Sequence, residues 1–157
     1  MPGSTRERLM AELAVVSRRY MASYTLFNQA LADHLGLHPT DLQCLNLLTL
    51  EGGPVTTGRI AELTGLTTGS ATRLVDRLER AGHVVRERDA DDRRLVLVAT
   101  VPEKAAEFRR VWDRVGDGWI ALFDDLDDPQ LALFIDHMRR TTDFGAQQAA
   151  RLRAGAV

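Results

Sequence analysis

The spacing of apolar residues divides the chain into six helical stretches and one pair of strands. From residue 8 to 35, Leu9, Leu13, Val16, Tyr20, Tyr24, Phe27, Leu31 and Leu35 recur at steps of three and four, which draws one apolar stripe along a long helix that Gly36 ends. Pro39 suits a first helical turn, and Leu42, Cys44, Leu45 and Leu48 predict a short buried helix running to about Leu50. Gly52-Gly53-Pro54 reads as a loop. Thr56 is placed to cap a third helix that carries Ile60, Ala61 and Leu63 and stops at Gly65. Only Leu66 separates that glycine from Thr67, a second capping residue, and a fourth helix continues to about Arg80 before Gly82.

Two short helices joined by a tight glycine-containing turn form the helix-turn-helix pattern. Valine-rich runs then flank an acidic turn, Val84–Arg88 before Asp89-Ala90-Asp91-Asp92-Arg93 and Leu95–Val98 after it, which predicts a β-hairpin. A hairpin directly after a helix-turn-helix is a wing. Pro102-Glu103 opens a fifth helix whose Phe108, Trp112, Val115, Trp119, Leu122 and Leu126 keep a strict 3.5-residue period up to Asp127-Asp128-Pro129. That period marks a helix packed along another helix. A sixth helix carries Leu131, Phe134, Met138, Thr142, Gly145, Ala149 and Leu152 on one face. The expected fold class is mainly α with a small β-hairpin wing: a winged helix-turn-helix lobe over residues 38–101, and a helical dimerisation region from 8–35 and 102–153, within a single domain of 157 residues.

On a wheel of about 100° per residue, the fourth helix gathers Ala71, Leu74, Val75, Leu78 and Ala81 on one side and Gly69, Ser70, Thr72, Arg73, Asp76, Arg77 and Arg80 on the other. Hydroxyls and backbone N–H groups at a helix N-terminus meet phosphates and base edges, and an arginine fork grips guanine O6 and N7. Gly69 lets the helix backbone approach a base pair closely. The same face also fits the solvated side of an amphipathic helix, with Asp76 and Glu79 paired to Arg80 and its neighbours; the adjoining helix, turn and hairpin favour DNA. At the hairpin tip, Arg93 and Arg94 on a narrow ribbon suit a minor groove, with Asp92 expected to hold a guanidinium in position.

The stretch Leu63–Val98, LTGLTTGSATRLVDRLERAGHVVRERDADDRRLVLV, resembles the MarR family of bacterial winged-helix transcriptional regulators. The helix order, the TRLVDRLERAG recognition helix and the D-x-R wing, Asp92-Arg93-Arg94, carry the resemblance over nearly the whole chain. It implies DNA contacts from Thr68, Ser70, Thr72 and Arg73 on the helix and from Asp92 and Arg94 on the wing; the helix face and hairpin tip themselves add Thr67, Gly69, Arg77 and Arg93 as candidate contacts. One departure is Thr100-Val101-Pro102-Glu103, where the family often has Thr-x-x-Gly. The resemblance also implies a homodimer intertwined through its first, fifth and sixth helices, binding a palindromic operator on double-stranded DNA. The residues support the dimer independently, because the long apolar stripes exceed what a small winged-helix core covers. A two-fold axis would set two recognition helices about 34 Å apart. A small-molecule effector, aromatic or anionic, is implied between the dimer helices and the lobe. Tyr20, Tyr24, His34 and Trp112 are candidate linings, although their periodicity suits core packing equally. An alternative is a dimerisation or adaptor module whose winged helix binds protein.

The formal net charge of −2 is a weak objection to nucleic acid. Placement answers it: residues 55–101 hold 8 basic and 7 acidic side chains, and among them Arg73, Arg77 and Arg80 share one helix face while Arg93 and Arg94 share one hairpin tip. Nineteen of the 20 cations are arginine, the side chain suited to forked contacts. The single cysteine, Cys44, sits among leucines and reads as a small core residue rather than a sensing thiol. His34 and His38 are spaced for a metal on a helix, but Gly36 and Pro39 interrupt it, so no metal is expected; His83 reads as a turn residue. No cofactor and no nucleophile motif emerge, which argues against an enzyme. No 18-residue apolar run occurs and Arg6-Glu7-Arg8 is no signal core, so a cytoplasmic protein without a membrane contact is expected.

Overall fold

The computed structural model describes residues 4–155, which divide into two compact units meeting at Ala106 and Glu107. In the first unit, α1 (Thr5–Leu35) begins with a reciprocal cap: Glu7 N–H donates to Ser4 Oγ at 3.2 Å and Ser4 N–H to Glu7 Oε2 at 2.7 Å. It closes on Gly36, whose φ of +65° lets the Leu37 N–H return to the Ala32 carbonyl at 2.8 Å. Only the last turns of α1 are buried, at Leu31 and Ala32.

Helix α2 (Pro39–Leu50) starts with proline at its first position, and His38 Nδ1 accepts the Thr40 N–H at 3.3 Å, so His38 serves as a cap. Thr56 caps α3 (Thr57–Thr64) by accepting the Arg59 N–H at 3.1 Å. Thr67 likewise caps α4 (Thr68–Arg80) through the Ser70 N–H at 3.3 Å. The hairpin strands are β2 (Val84–Arg88) and β3 (Val96–Thr100). Leu95 lies in the turn rather than the strand, because its N–H is taken by the Asp92 carbonyl at 2.9 Å.

A short strand, β1 (Val55–Thr56), lies where the sequence suggests only the approach to a cap. It pairs antiparallel with β3, Val55 opposite Val98, giving a three-stranded sheet in the order β1-β3-β2. Two residues carry little propensity signal; they become a strand because β3 offers a free edge to satisfy their backbone groups. The core of this unit joins Leu45 and Leu48 from α2, Ile60 from α3, Leu74, Val75 and Leu78 from α4, and Val84 and Val98 from the sheet.

Helix α5 (Pro102–Ile120) spans the boundary, and one 3-10 turn (Ala121–Phe123) follows it. The 3.5-residue period therefore outlasts the helix that it suggests, with Leu122 and Leu126 falling beyond Ile120. In the second unit, Phe108 stacks on Trp112 with centroids 6.2 Å apart. Helix α6 (Asp128–Arg153) has its own reciprocal cap, Asp127 with Gln130 at 2.8 and 3.0 Å. Phe123 leans on Phe134 at 5.3 Å, yet no α6 residue is buried among those described.

Candidate nucleic-acid interface

Helix α4 turns its apolar side inward, with Ala71, Leu74, Val75 and Leu78 all at 1% exposure or less. That burial fixes the rotation of the helix and leaves Thr67, Thr68, Gly69, Thr72 and Arg73 exposed, with Ser70 half-buried. A chain of local hydrogen bonds orders the exposed N-terminus. Thr67 Oγ1 donates to Ser70 Oγ at 3.1 Å, Arg73 Nη2 donates to the same oxygen at 3.2 Å, and Thr72 Oγ1 donates to the Thr68 carbonyl at 2.9 Å. A Cβ added at Gly69 would meet nothing within 4 Å, so the space above it is open.

Arg77 is half-exposed but not idle. Its Nη2 donates to Asp41 Oδ1 at 2.6 Å and its Nε to Asp41 Oδ2 at 3.1 Å, linking α4 to the first turn of α2. The hydrogen-bonded carboxylate raises the Arg77 pKa above its ordinary value. Asp76 and Glu79 do not pair with Arg80, whose Nε donates instead to the Asp76 carbonyl at 3.1 Å. Both carboxylates face Arg86 on β2: Arg86 Nη2 donates to Asp76 Oδ1 at 2.6 Å, Nη1 donates to Glu79 Oε2, and the Arg86 backbone N–H donates to Glu79 Oε1 at 3.2 Å. Recognition helix and wing strand are thereby joined by charge-assisted bonds. Sequence reading passed over Arg86, although the two-residue period of a strand places it on the same sheet face as buried Val84.

At the wing tip Arg93 and Arg94 are exposed, as is Asp92. Asp92 does not hold a guanidinium there: its Oδ1 accepts the Arg94 backbone N–H at 3.0 Å, and so shapes the turn. Asp89 Oδ1 accepts the N–H groups of Asp91 and Asp92 at 2.9 and 2.8 Å, and Arg88 Nη1 donates to the Arg93 carbonyl at 2.8 Å. The tip is thus held from its backbone, with both arginine side chains directed to solvent.

These features meet in a winged helix-turn-helix, and relatives carry the same plan. The MarR family model matches residues 35–95. An HTH-type transcriptional regulator of Bacillus subtilis (strain 168), YcgE, is 33% identical over 150 residues, covering 96% of this chain and 97% of that protein. The chain belongs to the MarR family. Membership makes it a DNA-binding transcriptional regulator, in a family of regulators rather than of enzymes. Among solved structures, a MarR family protein from Bacillus stearothermophilus superposes with a TM-score of 0.69 at 24% identity, over 89% of this chain and 97% of that one. The regulator BldR from Sulfolobus solfataricus follows the same fold with a TM-score of 0.62 at 20% identity, over 90% and 99%.

The four side chains considered for an effector site lie on two helices of this MarR-family chain. On α1, Tyr20 and Tyr24 stack at 6.4 Å between centroids, and His34 is exposed near the C-terminal end. On α5, Trp112 is engaged by Phe108. Cys44 is 1% exposed, and burial, with the nearby Asp41 charge, pushes its thiol up to about 12, far from thiolate reactivity. Among the described residues no group of three His, Cys, Asp or Glu side chains is gathered as a metal would require, and no helix is long and apolar enough to cross a membrane.

Proposed function

We infer that the protein is a ligand-responsive repressor that binds a palindromic operator as a homodimer. The observation that carries this reading is the joined pair of exposed surfaces: the ordered N-terminal face of α4 and the arginine tip of the wing, held together by Arg86. In it, Thr67, Thr68, Gly69, Ser70, Thr72 and Arg73 enter the major groove, while Arg93 and Arg94 reach the flanking minor groove with Asp92 fixing their turn. Residues 38–101 form the reading lobe, and 8–35 with 102–153 supply the dimer. The apolar side chains left exposed on α1, among them Leu9, Leu13, Val16, Leu26 and Tyr20, support that division. MarR regulators are typically dimeric.

Repression and release need no chemistry. An aromatic or anionic small molecule that favours a mis-spaced pair of recognition helices shifts the population off DNA, and a few kcal/mol of differential affinity suffices. Tyr20, Tyr24, His34 and Trp112 are the side chains assigned to receive it. The reading places the protein in the cytoplasm with its DNA. Selection of a duplex from a random-sequence pool, followed by gel shift, tests it. A palindromic duplex should emerge and its binding should fall by orders of magnitude between about 50 and 200 mM salt. Recovery of no duplex at low salt, with dimeric protein, would overturn the reading.

A further inference from the structure

Asp41 is the buried charged side chain of the described residues, at 5% exposure, and it stands on the inner side of the reading surface. Burying a carboxylate is costly, and an apolar pair of similar volume would often serve stability as well or better. The ion pair therefore calls for a role beyond holding α2 to α4. Its geometry supplies one. Asp41 engages the Nε–Nη2 edge of Arg77 with both oxygens, so the guanidinium cannot swing about its stem. A guanidinium has five N–H donors, and two are used here. The Nη1–Nη2 edge is left to a second planar or tetrahedral acceptor, and the Arg77 side chain is 44% exposed.

Position along the helix says which acceptor. Arg77 lies nine residues past Thr68, roughly 14 Å along α4 at the usual rise, whereas base edges are met by the N-terminal residues of a recognition helix. The major groove is only about 12 Å wide, so a side chain that far along reaches its wall, where the phosphates are. We propose that Asp41 is a positioning residue that aims Arg77 at a DNA backbone phosphate, so that Arg77 sets how the recognition helix sits in the groove without reading sequence. This rests on the DNA-binding reading above and deepens it.

The sign of one substitution separates positioning from simple charge. Asp41→Asn makes the reading face one unit more positive, so electrostatic attraction alone predicts tighter binding. Positioning predicts weaker binding, by about tenfold, since a charge-assisted contact is lost. The probes are the duplex selected by the unmodified protein and its single-base variants, with circular dichroism confirming each variant folded. Arg77→Ala should lose a similar factor, equal for every duplex, and the double variant should lose no more than Arg77→Ala. Arg77→Lys, which keeps the charge at a half-exposed site, should bind nearly as weakly as Arg77→Ala, because an ammonium has no planar fork with one edge for the carboxylate and another for the phosphate. Three results would overturn the proposal: Asp41→Asn binding as tightly as the unmodified protein or tighter, Arg77→Lys binding normally, or Arg77→Ala flattening preference at one base position. Failure to recover any selected duplex would instead remove the DNA-binding reading itself.

Discussion

The winged-helix lobe and the long helices use the same apolar residue types to opposite ends. Within the lobe, Leu74, Val75, Ile60 and Val98 are at 1% exposure or less, and helices and sheet close a core among themselves. Along α6, Leu133 is 66% and Phe144 61% exposed, and along α1 Leu26 is 71% exposed. A lobe of about 60 residues can bury enough surface to fold alone, whereas a single helix cannot cover its own stripe. One region thus closes a core of its own, while the other leaves apolar faces that its own helices do not cover.

The sharpest way to break that contrast is to remove matched leucines. Leu74→Ala should cost about 3 kcal/mol through lost burial and a cavity, while Leu133→Ala should cost less than about 0.5 kcal/mol if its face stays open. Urea unfolding of both variants, at a dilution where the chain is monomeric, checks this, and an equal cost there would show that the α6 face is covered within one copy. Dilution asks the same question of the whole protein. If a second copy covers the helices, a hundredfold dilution should remove up to about 2.7 kcal/mol of apparent stability and lower the melting temperature by several degrees. A melting temperature independent of concentration would count against the dimer.

Smaller effects test how tightly the lobe is knit. Arg86→Ala frees Asp76 and Glu79, and should cost about 1 kcal/mol, since the pairs are partly solvated. Its loss of DNA affinity should be larger than its loss of stability, because helix and wing then move independently; fluorescence anisotropy alongside a thermal melt would separate the two. The mildest test concerns Cys44. Well below pH 9 its thiol is neutral in both folded and unfolded chains. Between the ordinary value of 9.0 and about 12 only the unfolded chain releases the proton, so stability should fall as pH rises through that window. The fall should be absent in Cys44→Ala, and alkylation at pH 8 should track unfolding rather than native exposure.

Much of the lobe was legible because its signals are local. Thr56, Thr67, Gly36, Gly65 and Gly82 mark helix ends by what their own backbone requires, and α4 shows its buried and exposed sides in a single turn of the wheel. The reciprocal caps at Ser4 and Asp127 were equally local but passed unread, and they shifted the starts of α1 and α6 by a few residues. The end of α5 misled for another reason: apolar period persists into a 3-10 turn because the same face continues to seek cover after the hydrogen-bond pattern has changed.

The order of elements, the inward face of each and the arginine-rich surface left outside are all local matters, set by periodicity and by the conformational limits of glycine and proline. Which of those arginines are tied to carboxylates was settled only by packing. Arg77 and Asp41 are 36 residues apart and Arg86 meets Asp76 across ten. No local rule links such pairs, because an ion pair is chosen by which side chains the packed core brings within reach, and that is known only once the core has formed.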